Sequence, residues 1–487
     1  MSYSYKVERL LNNLDKAYKG PVIPMKEWDT KIIPKTIKGI LKKYNLQGTL
    51  DMDNPINYDD ELADQFFKAG WELALELGLY CEDTERCIKV DEAEILECMR
   101  DYQKENILGE GQDQVIMKPR RPEDPYAPLL CASLGIVCSE ENYLPLVQGI
   151  VKYNKLVDVL HGPTLATVFG RTIRSGTPYE TLMGNYESEL KKEALWRAGR
   201  PGMPCTGVAG AVTEFGHLGG APALAGRGNV TMSLCPVELK CTFSNFHRII
   251  QGLNYGHKLR VGGFSYIGGY AGTPEGAALA NVATNLLLTT ILQADYVSSY
   301  CYDILLFGNC GRKAVWANSV STQAISRNTG FMSNKIVNET GGPCTEMFMY
   351  EAAVGLMNHC VSGASKTTQP RSAGGRYTDY ITPMEAWWCG DVFKSCAGMT
   401  RKDANDIANK ILPKYEAKLG APDKGLPVNE CFDLKNQVPF ENYRKLYTDV
   451  RNELIAVSYT HLNDGLGFSN WDQAASQTYI IFQIFRG

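Results

Sequence analysis

A chain of 487 residues, 44% of them hydrophobic, carries enough apolar material for one large domain or two or three ordinary ones, which excludes a disordered or fibrous protein. Charged residues make up 21% and the formal net charge is −4, so there is no extended basic surface to neutralise a phosphate backbone, and nucleic acid is not the expected partner. The 15 cysteines are scattered from Cys81 to Cys431 with no C-x-x-C pair, and the six histidines lack zinc-ligand spacing, so reduced thiols and no intrinsic metal site are expected.

The amino terminus, Met1-Ser-Tyr-Ser-Tyr-Lys-Val-Glu-Arg9, has no apolar run of the signal-peptide type, and no stretch approaches the ~20 apolar residues that span a bilayer. A cytoplasmic protein is expected. Residues 1–124 read as a mainly helical extension. From Asp60, Leu62, Phe66, Leu73 and Leu77 recur at near-helical spacing, and Gly78 stands where a helix-ending glycine belongs. The polar run Lys118-Pro-Arg-Arg-Pro-Glu-Asp-Pro125 then marks a boundary.

Beyond it, short apolar runs alternate with amphipathic helices. Strands are predicted at 156–160, 202–208, 230–234, 261–267 and 296–300, with a weaker one near Phe331. The clearest helix opens at Thr273-Pro274 and places Leu279, Val282, Ala283, Leu286, Leu287 and Ile291 on one face. Another opens at Thr382-Pro-Met-Glu385, a capping-box pattern. Repeated βα units predict a parallel sheet, as a (β/α)8 barrel or a doubly wound sheet. No G-x-G-x-x-G opens a helix after a strand, which favours the barrel, over residues 125–399, with C-terminal helices at 400–456 packed on it.

A barrel would carry its active site at the carboxyl ends of the strands. Three glycine-rich stretches are assigned there: Ala198-Gly-Arg-Pro-Gly-Met203, Gly268-Gly-Tyr-Ala-Gly272 and Gly341-Gly-Pro-Cys-Thr-Glu-Met347. The last two open helices whose free backbone N–H groups face a ligand; the plainer reading is three tight turns.

The same stretches resemble blocks of the monomethylamine:corrinoid methyltransferases. Shorter matches at Trp28-Asp29, Phe67-Lys-Ala-Gly70, Tyr80-Cys81, Leu108-Gly109 and Met384-Glu-Ala386 keep the same order over roughly Trp28 to Leu454. The resemblance implies a (β/α)8 barrel that assembles as a homo-oligomer and transfers a methyl group from a methylated amine to the Co(I) of a separate corrinoid protein. The chain has no D-x-H-x-x-G pattern of base-off corrinoid binding, so the corrinoid would arrive on that partner. The family's pyrrolysine position matches Thr206, and its two glutamates and glutamine match Met232, Gly262 and Ile336. The scaffold is retained while these polar groups are replaced.

Thr206 has a hydroxyl but no electrophilic carbon to trap a small amine. A quaternary ammonium needs no such trap and is bound by aromatic faces, for which Phe264, Tyr266, Tyr270, Trp387 and Trp388 are candidates, core packing being the alternative for each. Glu346 and Glu275, each in a first helical turn, either touch substrate or complement the helix dipole. Cys205 reads as a structural thiol in place of a nucleophile, and Asp158, on an otherwise apolar strand, either points into the barrel mouth or is an inward polar residue of a barrel layer. The sequence-level conclusion is an amine methyltransferase of altered substrate, the alternative being a non-catalytic barrel that binds an amine or docks a corrinoid protein. Val457-Ser-Tyr-Thr-His-Leu462 matches a translated sequencing adaptor, so 457–487 reads as an artefact or an unrelated tail.

Overall fold

A computed structural model describes residues 2–153, 156–208, 212–226 and 228–457. Eight parallel strands close into a barrel: β1 (Leu129–Ala132), β2 (Val159–Leu160), β3 (the two ladder residues Cys205 and Thr206), β4 (Val230–Leu234), β5 (Lys258–Ile267), β6 (Tyr296–Asp303), β7 (Ser333–Lys335) and β8 (Lys366–Thr368). Neighbours pair in parallel from β4 through β8 to β1 and β2. The bridges Leu160↔Cys205 and Thr206↔Val230 complete the ring. Each strand is followed by a helix, from Glu140–Val151 after β1 to Pro383–Ser395 after β8, so the barrel is a (β/α)8 barrel with its functional face at the strands' carboxyl ends.

Local chemistry accounts for the best-defined helices. Thr273 caps the helix Pro274–Ile291 by accepting from the backbone N–H of Gly276, with proline at the first turn. Thr382 and Glu385 form a reciprocal capping box on Pro383–Ser395. The helix Pro274–Ile291 is not half-exposed as its apolar stripe suggests: every residue from Glu275 to Ile291 is buried. Its outer face is covered by the helix Asp60–Leu77 of the amino-terminal extension, where a Cβ on Gly70 would meet Val282 Cγ1 at 2.3 Å, so only glycine permits that approach.

The extension also plugs the barrel floor. The antiparallel pair Asn106–Leu108 and Val115–Met117 places Leu108 and Met117 against Leu129, Val159, Val230, Tyr296 and Met332 at the amino ends of the strands. Ala198-Gly-Arg-Pro-Gly-Met203 is found at this floor and not at the mouth. It connects the helix Pro178–Arg197 to the start of β3, Gly202 accepts from the backbone N–H of Glu110, and Arg200 Nε lies 3.2 Å from Asp113. A loop preceding a strand in a barrel lies at the strand's amino end, whatever its glycine content. Asp158 is corrected likewise: it precedes β2, accepts from the backbone N–H of Leu130 at 2.7 Å and pairs with Lys394 at 2.9 Å, tying helix to strand. The helices Arg401–Ile411 and Glu441–Ala456 follow the barrel. His461 and the rest of 458–487 lie outside the described residues.

Candidate active site

Which residues face the lumen follows from the pleat. On β5, Leu259 and Val261 pack outward among the helices, and a Cβ on Gly263 would meet Thr284 and Leu288. Arg260, Gly262, Phe264 and Tyr266 therefore point inward. On β4, Thr231 bonds His257 and Ser233 bonds Asn245 on the helix side, leaving Met232 to the lumen. Asn334 of β7 faces inward to Ser298, which places Ile336 on the same side two residues on. Thr206 is fully buried, with Oγ1 3.7 Å from Cys131 Sγ two strands away, a contact made across the barrel interior. Thr206, Met232, Gly262, Ile336 and Tyr266 thus belong to one inner wall.

Three other candidates do not. Trp387 is buried in the helical layer, its ring 4.7 Å from Tyr153 and 5.9 Å from Phe432, because its helix turns that side to its neighbours. Trp388 is buried there too, donating from Nε1 to the Met349 carbonyl. Tyr270, on the loop after β5, is 41% exposed and lies 5.9 Å from Lys240 Nζ, itself paired with Asp29 and Glu82. Glu346 is exposed in the first turn of Glu346–Val361, where it complements the helix dipole. Glu275 has a role not foreseen: its Oε1 accepts from the backbone N–H groups of Gly48 and Leu50, fastening the extension to the barrel. Cys205 packs outward, and burial pushes its thiol up to about 12, so it is no nucleophile near neutrality.

The mouth carries an aromatic wall on adjacent strands. Phe264 and Tyr300 are register partners with ring centroids 4.5 Å apart, and Tyr266 and Tyr302, the next pair, are 5.8 Å apart. Burial raises the three phenols, Tyr302 to about 12, while the nearby Arg371 guanidinium opposes the rise. Arg371 bonds Asn338 Oδ1, and its backbone N–H donates to Glu339 at 3.0 Å. Burial pushes the Glu339 carboxyl up to about 8 and that of Glu238, which accepts from the backbone N–H of Tyr266, also to about 8.

Below the rings lies a buried polar network that sequence reasoning missed. Arg260, fully buried, donates from Nη1 to His161 Nδ1 at 3.1 Å and from Nη2 to Ser298 Oγ at 3.2 Å. Asn334 Nδ2 donates to the same Ser298 Oγ at 2.8 Å, and Thr368 Oγ1 to Asn334 Oδ1 at 2.9 Å. Lys366 Nζ donates to the Tyr296 hydroxyl at 3.0 Å, and burial, with Arg260 nearby, lowers its ammonium to about 8. The available signal was a charged residue inside an apolar strand run, at Arg260, and a histidine directly following one, at His161. A surface groove lined by Tyr18, Phe243, His247 and Tyr255 lies on the outer helices and contains none of these residues.

Residues 9–458 match the family described as Monomethylamine methyltransferase MtmB. The chain belongs to that family. It is 29% identical over 459 residues to monomethylamine methyltransferase MtmB3 of Methanosarcina barkeri (strain Fusaro / DSM 804), covering 90% of this chain and 96% of the relative. It is 28% identical over 445 residues to MtmB of Methanosarcina mazei, with the same coverage. The crystal structure of the Methanosarcina barkeri MtmB superposes with a TM-score of 0.88 at 27% identity, covering 92% of this chain and 98% of that one. A structure of a hydroxylamine MtmB complex matches equally well. The likeness to the MtmB family thus extends over the barrel, the extension and the carboxyl-terminal helices. No helix among the described residues is long and apolar enough to cross a membrane.

Proposed function

We propose that this family member transfers a methyl group from a quaternary methylated amine to the Co(I) of a corrinoid carried by a partner protein. The observation that carries the reading is the aromatic wall Phe264, Tyr266, Tyr300 and Tyr302 on the same inner surface as Thr206, Met232, Gly262 and Ile336. A ring face attracts a quaternary nitrogen by its quadrupole, each well-placed ring contributing about 0.5–2 kcal/mol. Thr206 offers no electrophile for a primary amine.

The chemistry requires little else of the protein. Cobalt attacks the methyl carbon in line, a Co–C bond forms as the C–N bond breaks, and the electron pair of that bond leaves on nitrogen as a neutral tertiary amine. A quaternary nitrogen is cationic at every pH, so departure needs no general acid. The chain's task is to hold the cation with one methyl group at the open mouth and to exclude water, an orientation effect. In a monomethylamine substrate the nitrogen must be kept protonated or trapped, and Met232, Gly262 and Ile336 supply no group for either.

The test is cobalt spectroscopy with a purified Co(I) corrinoid protein, this protein and a panel of methylated amines. Methylation with a quaternary amine faster than with monomethylamine supports the reading. Faster methylation by monomethylamine refutes it, and methylation by none favours a non-catalytic barrel.

A further inference from the structure

The amino-terminal extension meets the barrel at a further place, beside the mouth. The strand Leu79–Cys81 pairs in parallel with Lys240–Cys241, on the loop after β4, and turns back through 82–85 into the strand Arg86–Ile88. Polar contacts fix this junction: Lys240 Nζ pairs with Asp29 at 2.8 Å and with Glu82 at 3.2 Å, and Asp83 accepts from the backbone N–H of Phe243 at 2.6 Å. In the ladder, Cys81 is the register partner of Cys241.

That register sets two sulfurs side by side. Residues directly opposite in a parallel ladder point to the same face with Cα atoms about 4.8 Å apart, inside the ~4.4–6.8 Å that a disulfide spans. The two thiols are hydrogen-bonded to each other and fully buried, and their environments are opposite. The hydrogen bond from Cys241, followed by those from Thr84 and the Asp83 backbone N–H, holds the Cys81 thiol down to about 6 against its burial. The same bond and burial push the Cys241 thiol well up. Cys81 is thus a thiolate near neutrality and Cys241 the thiol that donates to it, whereas burial pushes Cys87 up to about 11 and Cys205, Cys235 and Cys301 up to about 12. The cover over the pair is thin, since Asp83 and Glu85, on the turn that bonds the Cys81 sulfur, are exposed.

We propose that Cys81 and Cys241 form a redox-active dithiol, a site of reversible oxidation by a small peroxide. The Cys81 sulfur attacks one oxygen of hydrogen peroxide, an S–O bond forms as the O–O bond breaks, and hydroxide leaves with the electron pair and takes up a proton to become water. The Cys241 sulfur then attacks the Cys81 sulfur, an S–S bond forms as the S–O bond breaks, and the hydroxyl leaves with the Cys241 proton as a second water. Two thiols and one peroxide give one disulfide and two waters; the sulfurs lose two electrons and the peroxide oxygens gain them. A thiol reductant reverses the step. The disulfide replaces a hydrogen-bonded contact by a covalent tie between the extension and the loop that carries Glu238, whose carboxylate accepts from the Tyr266 N–H in the inner wall.

Peptide mapping of the native full-length protein after treatment with hydrogen peroxide tests this without any variant. The expected result is a linked peptide pair that holds Cys81 and Cys241, with those two of the 15 thiols lost and both restored by dithiothreitol. The oxidised protein should unfold at a higher urea concentration than the reduced one, because the link closes a long loop of the unfolded chain. In Cys241→Ser the reaction should stop at a Cys81 sulfenic acid, so dimedone labelling of Cys81 should exceed that of peroxide-treated wild type by about tenfold. Cys81 and Cys241 that stay as thiols while other cysteines oxidise overturn the proposal. A link formed only between Cys344 and Cys431, which are also hydrogen-bonded, overturns it too. So does a Cys81–Cys241 link that forms only after the chain is unfolded in urea.

Discussion

Replacing Phe264 and Tyr300 by leucine removes the first aromatic pair of the mouth while keeping apolar side chains there. The two rings pack against each other on neighbouring strands, centroids 4.5 Å apart and tilted by 41°, one half-buried and the other 6% exposed, so together they form one aromatic surface against which a quaternary head at the mouth rests. At about 0.5–2 kcal/mol per ring, the pair contributes about 1–4 kcal/mol to binding a cation, a factor of about 5 to several hundred in Kd. Part of any measured loss will come from shape, and a neutral isostere separates the two. Titration of the wild-type protein with glycine betaine and with 3,3-dimethylbutyrate, in which carbon replaces the quaternary nitrogen, reads the charge alone. The wild type should prefer the cation by roughly the factor above. The single variants Phe264→Leu and Tyr300→Leu should each lose part of the preference, and the double variant nearly all of it. Losing the ring–ring contact costs about 0.5–1.5 kcal/mol beyond the buried area, so the melting temperature should fall by a few degrees only. A double variant that stays folded and still distinguishes the cation from its isostere as the wild type does would refute the aromatic-wall argument.

Trp387→Ala leaves a cavity among the outer helices and is expected to cost about 3–5 kcal/mol in chemical denaturation with no change in KM for the methyl donor; a raised KM with unchanged stability would place the ring in the site after all. Glu275→Ala strips the charged acceptor from the Gly48 and Leu50 amides, about 1.5–3 kcal/mol for the stronger bond, so limited proteolysis should cut faster between residues 44 and 56 while methyl transfer persists. Glu339 is held up to about 8 by burial, so its contribution to stability is fully present below its unfolded pKa near 4.5 and is lost as pH rises towards 8. Glu339→Gln, which mimics the protonated form, should therefore gain stability relative to wild type from pH 5 to pH 8 in thermal melts; a difference independent of pH would show that the carboxyl does not titrate there.

The order of βα units, the helix starts at Thr273-Pro274 and Thr382-Pro383, and the helix end at Gly78 were legible in the sequence because caps and turns are decided within four or five residues. The inward placement of Thr206, Met232, Gly262 and Ile336 was expected from the resemblance to the family. What periodicity left hidden was β1, β8 and the true extent of β3. Strands of two to four residues buried on both faces show no alternation, and Lys366-Thr-Thr368 reads as polar loop although every one of its residues is buried. The buried polar network was invisible for a related reason. His161 and Arg260 are 99 positions apart and Cys131 and Thr206 are 75 apart, and each pair meets only because the ring closes. Closure also decided the losses: Trp387 turned outward with its helix, and the Ala198–Met203 glycines fell to the floor because they precede a strand and do not follow one. Local chemistry determined which segments are helix or strand, and only the closed barrel, which sets every inner side chain against strands far away in the chain, decided which of them share a site.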